Sequence, residues 1–293
     1  MIKGQSNKKK AIEFILMTGP SILILVGVTL IPFIYGIMIS LQRARMGKFD
    51  DLNFVGLANY LRLFTREEFW SSLQVTLIFV VASTVLTISI GFLLATGLNR
   101  FFIGRTVYMA LLILPMVMPP VVAGLMWKFM LDSHLGIFGY FTKLIGLPAI
   151  PWLSSSVMAL FSVIIVDVWQ WTPFCALLLL AGLQLIPKHL YEAGTIDSAN
   201  RFQVFRYIVV PLMMPIFLIV LLIRLMDTFK IFDTIFVLTQ GGPGMATEVF
   251  NMWGYHVGFR YFDLGGAAAI GVISFLIVLT LTTPVLKKWY SLD

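Results

Sequence analysis

Polar and charged side chains stranded in long apolar runs mark where this sequence could do chemistry. Asp167, Gln170, Trp171 and Phe174 are spaced to share one face of a helix. A carboxylate, an amide and an indole are the groups a sugar site uses, through hydrogen bonds to hydroxyls and stacking on a C–H face. Further on, Arg224 and Asp227 stand three apart, with Lys230 and Asp233 beyond them. A charge at the centre of a membrane span costs roughly 2.5–3.5 kcal/mol on insertion scales, so such charges pair or line a cavity. The same residues therefore also read as interhelical glue, with Asp167 paired to Arg224 or Lys230 and with Trp169 and Trp171 packing or anchoring at an interface.

A second cluster lies in the stretch 187–215, PKHLYEAGTIDSANRFQVFRYIVVPLMMP. Pro187 suits the first position of a helix. Ala193, Gly194, Ser198 and Ala199 are small, so another surface could approach the backbone closely. Phe202 and Phe205 form an apolar strip flanked by Arg201 and Arg206. The spacing predicts a short helix, a bend, and a second helix entering the membrane at Ile208. Such a segment either lies on lipid headgroups or docks into a partner protein.

Other chemistry is missing. The chain lacks G-x-x-x-x-G-K-[ST] and H-E-x-x-H, and it has no G-x-S-x-G elbow. His134, His189 and His256 are far apart in sequence, which argues against a His-built metal site. No span carries regularly spaced arginines and no T-V-G-Y-G filter occurs. Gly241, Gly242, Pro243 and Gly244 form a turn-rich string with no following Lys-[ST], so it reads as a turn with a contact role towards a partner rather than as a phosphate cradle.

The elements that must position these residues follow from composition. Of 293 residues, 59% are hydrophobic and 12% charged. A soluble domain carries about twice that charge, so an ordinary soluble enzyme, a disordered chain and a disulfide scaffold are excluded, and lipid is the solvent. The lone Cys175 has no cysteine to pair with inside the chain. Continuous apolar runs of about 20 residues place six helical spans at 12–41, 73–98, 107–131, 157–183, 208–226 and 266–286, with a tail over 1–11. Alternation, the mark of a barrel strand, is absent. One all-α transmembrane domain fills the chain. Pro115, Pro119 and Pro120 interrupt the third span, Pro173 sits in the fourth, and Pro211 and Pro215 open the fifth, so each bends its helix or serves a gate.

Charge sets the expected sidedness. Eleven Lys and Arg fall in the tail, 99–106, 184–207 and 287–293, against eight in the much longer segments 42–72, 132–156 and 227–265. The denser set is expected to be cytoplasmic, with both termini inside. The formal charge of +7 then needs no nucleic acid to explain it.

Residues 192–211 resemble the EAA motif of ABC-importer permeases, E-A-A-x3-G-x9-I-x-L-P. Glu192, Ala193, Gly194, Ser198, Ile208, Val210 and Pro211 stand at the matching positions, with Gly194, Ser198 and Val210 departing in identity. VGLANYLRLF, LPMVMPPVVAGLMWKFM, DVWQWTPF and FDTIFVLTQGGPGMATE are similar to strings of the carbohydrate-uptake branch. The resemblance covers nearly the whole chain. It implies a type I importer permease, itself non-catalytic, in the bacterial cytoplasmic membrane. It implies a second permease, two copies of an ABC ATPase that bind the ATP and Mg, and an extracytoplasmic solute-binding protein. The coupling segment 187–207 would then present Glu192, Ala193, Gly194, Asp197, Ser198, Ala199, Phe202 and Arg206 to the ATPase. Glu192 would meet the ATPase or cap its own helix, and Asp197 would couple, cap locally or pair with Arg201. Asp167, Gln170, Trp171, Arg224, Asp227 and Lys230 would line the path or form ion pairs, and DVWQWTPF-like strings across members with different cargo favour structure. A stand-alone ion-coupled transporter is the competing expectation, with an integral membrane enzyme third.

Overall fold

The computed structural model describes residues 3–100, 103–133, 135–146, 148 and 150–291, with side chains 3–14 and 48–52 outside the description. His134, residues 1–2 and 292–293, and the side chains of Lys3, Lys8, Lys9 and Lys10 therefore lie outside the description. The order is α1 (Lys3–Ser40), β1 (Gln42–Arg45), β2 (Lys48–Phe54), α2 (Ala58–Phe64), α3 (Glu67–Leu98), α4 (Arg105–Val117), α5 (Pro120–Met130), α6 (Ile137–Leu144), α7 (Ser156–Leu185), α8 (Lys188–Ile196) and α9 (Arg201–Val204). After a π-turn at Phe205–Val209 come α10 (Val210–Phe229), α11 (Asp233–Leu238) and α12 (Phe250–Tyr255), then a second π-turn at His256–Arg260 and α13 (Leu264–Tyr290).

Five of these helices carry stretches long and apolar enough to cross a membrane: Ile15–Ser40, Glu67–Leu98, Ser156–Leu185, Arg201–Phe229 and Leu264–Tyr290. Helices satisfy every backbone group internally, which lipid demands. The expected third span differs. It is the pair α4 and α5, which meet at 97°. Their legs are roughly 20 and 16 Å long, each shorter than a hydrocarbon core of about 30 Å. The cause is local. Pro119 and Pro120 supply no N–H, and Met118 before them is forced extended at ψ 135. Pro120 then starts α5 at the position where a missing N–H costs nothing.

Contacts divide the chain into two compact units, 1–65 with 254–273 and 66–253 with 274–293. In the first, β1 and β2 form an antiparallel hairpin that apolar periodicity does not announce, pairing Gln42 with Phe54 and Arg45 with Lys48. The Asn59 amide donates to the Ser40 carbonyl at 2.8 Å and to that of Gln42 at 2.9 Å, tying α2 to the end of α1. Arg62 pairs with Asp263 at 2.6 Å.

In the second unit, α3 presents Ser83, Thr87, Gly91 and Ala95 to α7 at four-residue spacing, all buried. Small residues let two helices approach closely where lipid gives no hydrophobic drive to associate. A Cβ on Gly91 would lie 2.8 Å from that of Cys175, so only glycine fits. The core above this crossing holds Phe79, Val163, Val166, Phe229, Ile235 and Met252. Below it Leu179, Leu183, Val209 and Met213 form a second cluster. The segment 227–265, expected as a loop, contains α11 and α12, and Thr76 of α3 accepts the Phe250 amide at 2.7 Å.

Candidate functional site

Among the intramembrane charges, Arg224 of α10 reaches Asp167 of α7. Arg224 Nη2 donates to Asp167 Oδ2 at 2.5 Å, with side-chain exposures of 0% and 6%. The Ser83 hydroxyl of α3 donates to the same oxygen, and Nη2 lies 3.3 Å from Ser83 Oγ. Thr228 returns its hydroxyl to the Arg224 carbonyl at 2.6 Å. The guanidinium carbon sits 5.7 Å from the Trp171 ring centroid, a cation–π distance. A buried pair survives when its charges are neutralised and its lone pairs are met. Here three helices share that task, while Arg224 Nε and Nη1 have no partner among the described residues. Lys230 is not the partner of Asp167. The sequence alone does not mark Ser83; its signal there is a hydroxyl in register with Thr87 and Gly91 in an apolar span.

Beside the pair lies a cavity of about 160 Å³. Asp167, Trp171, Asp227 and Lys230 line it, together with Pro120, Phe232, Asp233 and Thr234. Four of the six expected path residues thus converge. The other two do not line it. Arg224 is occupied by Asp167, and Gln170, 1% exposed, donates its amide to the Met118 carbonyl at 3.0 Å. That carbonyl sits at the break between α4 and α5, where a continued helix would have supplied a donor. Trp169 packs edge-on against Trp127 at 5.5 Å, which is a packing role.

The segment after α7 is capped at each step. Pro187 takes the N-cap position of α8, one earlier than expected. At its C-terminus Ser198 N–H donates to Thr195 O at 3.1 Å and Ala199 N–H to Gly194 O at 2.8 Å, the two bonds of a Schellman motif. Ser198 stands at φ 55, the left-handed conformation in which glycine carries no penalty. Asn200 and Gln203 then form a capping box that starts α9. Leu190, Tyr191, Val204 and Ile208 pack on the lower core. The opposite side is open: Glu192, Ala193, Asp197, Ser198 and Arg206 are exposed, Ala199 is partly so, and Ile196 and Phe202 are 83% and 71% exposed. Glu192 caps nothing in α8, and Asp197 forms no ion pair with Arg201 among the described residues. Gly194 is buried, yet a Cβ there would touch Ile208 Cδ1 at 3.4 Å, ordinary contact.

The Gly241–Gly244 string closes on itself. Gly241 and Gly244 take φ 89 and 61, and Gly242–Pro243 is cis. Thr247 Oγ1 donates to the Gly242 carbonyl at 2.8 Å and lies 2.7 Å from Thr239 Oγ1. Internal hydroxyls thus hold this turn. No group of three His, Cys, Asp or Glu able to hold a metal occurs among the described residues.

The family model described as binding-protein-dependent transport system inner membrane component matches residues 87–291. The chain belongs to this family. Residues 87–291 run from α3 to the end of α13, so membership spans the ion pair, the cavity and the segment after α7. This inner membrane component is similar to the trehalose/maltose transport system permease protein MalF of Thermococcus litoralis, 37% identical over 93% of this chain and 92% of that one. It is also similar to the sn-glycerol-3-phosphate transport system permease protein UgpA of Agrobacterium fabrum, 36% identical over 78% of each. It shares its fold with a chain of a bacterial ABC transporter involved in the import of the acidic polysaccharide alginate, at TM-score 0.85 and 20% identity over 99% of both.

Proposed function

We propose that this chain is a permease subunit of an ATP-driven importer and carries a sugar or sugar-like solute by alternating access. The observation that carries the reading is the 37% identity to a trehalose/maltose permease over 93% of the chain. The solute arrives from an extracytoplasmic binding protein. A second permease completes the path, and two ATPase copies, which bind ATP and Mg, drive it. The chain itself catalyses nothing. It lies in the cytoplasmic membrane with both termini inside, a reading supported by the density of bases in the tail and short loops.

The coupling surface is the open side of 187–207. Glu192 with Ile196 and Phe202 offers a carboxylate beside exposed apolar groups, and such groups outside lipid call for a protein cover. Ala193, Gly194, Ser198 and Ala199 keep the surface low, while Asp197 and Arg206 supply charge at its rim. The Schellman and capping-box bonds stiffen the knob, so a push on it reaches α10 through the lower core. The cavity at Asp167, Trp171, Asp227 and Lys230 is the path residue set; Arg224 and Gln170 hold its walls. Purification of the chain with its ATPase, followed by uptake of labelled trehalose or maltose into vesicles, tests this. ATP-dependent uptake that survives an ionophore is expected. Uptake by the chain alone that collapses with the ion gradient would make it a secondary transporter instead.

A further inference from the structure

We infer that the cavity beside Asp167 is electronegative, and that the cargo passing it is an uncharged sugar rather than a phosphorylated or uronic one. This rests on the sugar-importer reading. The relatives named above include permeases for a neutral disaccharide and for a phosphate ester, so membership of the family leaves the cargo's charge open.

The wall decides it. Asp167 is already neutralised by Arg224 at 2.5 Å. What remains is two carboxylates, Asp227 and Asp233, against the single ammonium of Lys230, and none of the three forms an ion pair among the described residues. Lys230 and Asp233 are both exposed, so solvent screens that ammonium and that carboxylate alike, and the half-buried Asp227 carries the charge left over. Recognition of a phosphate or carboxylate favours a free guanidinium fork. The arginine at this site does not reach the cavity: Arg224 is fully buried, its Nη2 is held by Asp167, and it is not among the lining residues, although its Nε and Nη1 have no partner among the described residues. Trp171 and Phe232 complete the wall. Aromatic faces suit sugar C–H groups, and the Trp171 ring also meets the Arg224 guanidinium at 5.7 Å.

The chain's one cysteine, Cys175, is fully buried, so a cysteine probe is clean. Ile231 lines the cavity and is half-buried. In the importer assembled in nanodiscs, Ile231→Cys on a Cys175→Ser background is labelled with cationic and anionic methanethiosulfonates of similar size. Rates are normalised to a small free thiol. The cationic reagent is expected to be favoured by about 5-fold or more, and Asp227→Asn to reduce that preference by about half, since low-dielectric walls focus a local field. Trehalose or maltose should slow labelling, whereas sn-glycerol 3-phosphate and glucuronate should not. Equal or faster anionic labelling, or no labelling by either reagent, overturns the inference. A cationic preference with no protection by any sugar leaves the field standing and removes the sugar-importer reading of this cavity.

Discussion

Gln170 Nε2 lies 3.0 Å from the carbonyl oxygen of Met118, so a side chain of α7 supplies the donor that the break between α4 and α5 removes. Gln170 is buried and Met118 half-buried, and a carbonyl left there without a partner costs about 1–3 kcal/mol.

Gln170→Leu should therefore destabilise the protein by about 1–3 kcal/mol, and Gln170→Glu, which loses the donor, by at least as much. Thermal unfolding of the purified protein in detergent reads this. An unchanged midpoint for both variants would mean that the Met118 carbonyl is satisfied elsewhere.

Asp167→Leu and Arg224→Met should each cost about 3–5 kcal/mol, because each leaves a buried charge without its partner. The double variant Asp167→Leu with Arg224→Met should sit closer to wild type than either single one, since removing both charges removes the need for pairing. Folded yield and unfolding midpoint across the four proteins give the coupling. Additive losses would show that the two residues act separately.

At Ser198 the backbone conformation predicts a gain. With φ 55, Ser198→Gly should stabilise by about 1 kcal/mol, and Ser198→Val should destabilise by more. Gly194→Ala, whose Cβ meets only ordinary contacts, should be nearly neutral. Protease resistance of the segment after α7 ranks the three variants, and a destabilised Ser198→Gly would contradict the Schellman assignment.

Gly91→Val should separate α3 from α7, because even its first carbon would stand 2.8 Å from Cys175 Cβ. Overpacking of this kind costs typically 1–3 kcal/mol. Pairing it with Cys175→Gly should recover part of the loss in folded yield; no recovery would place the clash elsewhere.

Much of this was legible in the residues themselves. Apolar length finds five long apolar helices, although two of them start at Glu67 and Arg201, ahead of the expected 73 and 208, because polar residues open them. The cost of burying Asp167 points to a cation on a neighbouring helix, which is Arg224. The register from Glu192 to Pro211 is readable because its spacing is rigid. Other features depend on tertiary context. Pro119 and Pro120 signal a break but not its 97° angle, which Gln170 and the packing of α5 on α11 help fix. Ser83 is one hydroxyl among several in α3, and nothing in its neighbours along the chain says that it faces Asp167. The β1–β2 hairpin has no apolar alternation along Gln42–Arg45 or Lys48–Phe54, so periodicity does not announce it. The pairing of Asp197 with Arg201, natural at helical spacing, fails because α8 ends at Ile196 and the chain turns at Ser198.

In the proposed importer, α8 carries the push of a partner ATPase to the path. ATP hydrolysis and labelled-sugar uptake measured together on the assembled importer bearing Glu192→Lys test it most directly. The expected result is a protein that inserts and folds, still hydrolyses ATP in its complex, and accumulates no sugar. Normal uptake with normally stimulated hydrolysis would contradict it.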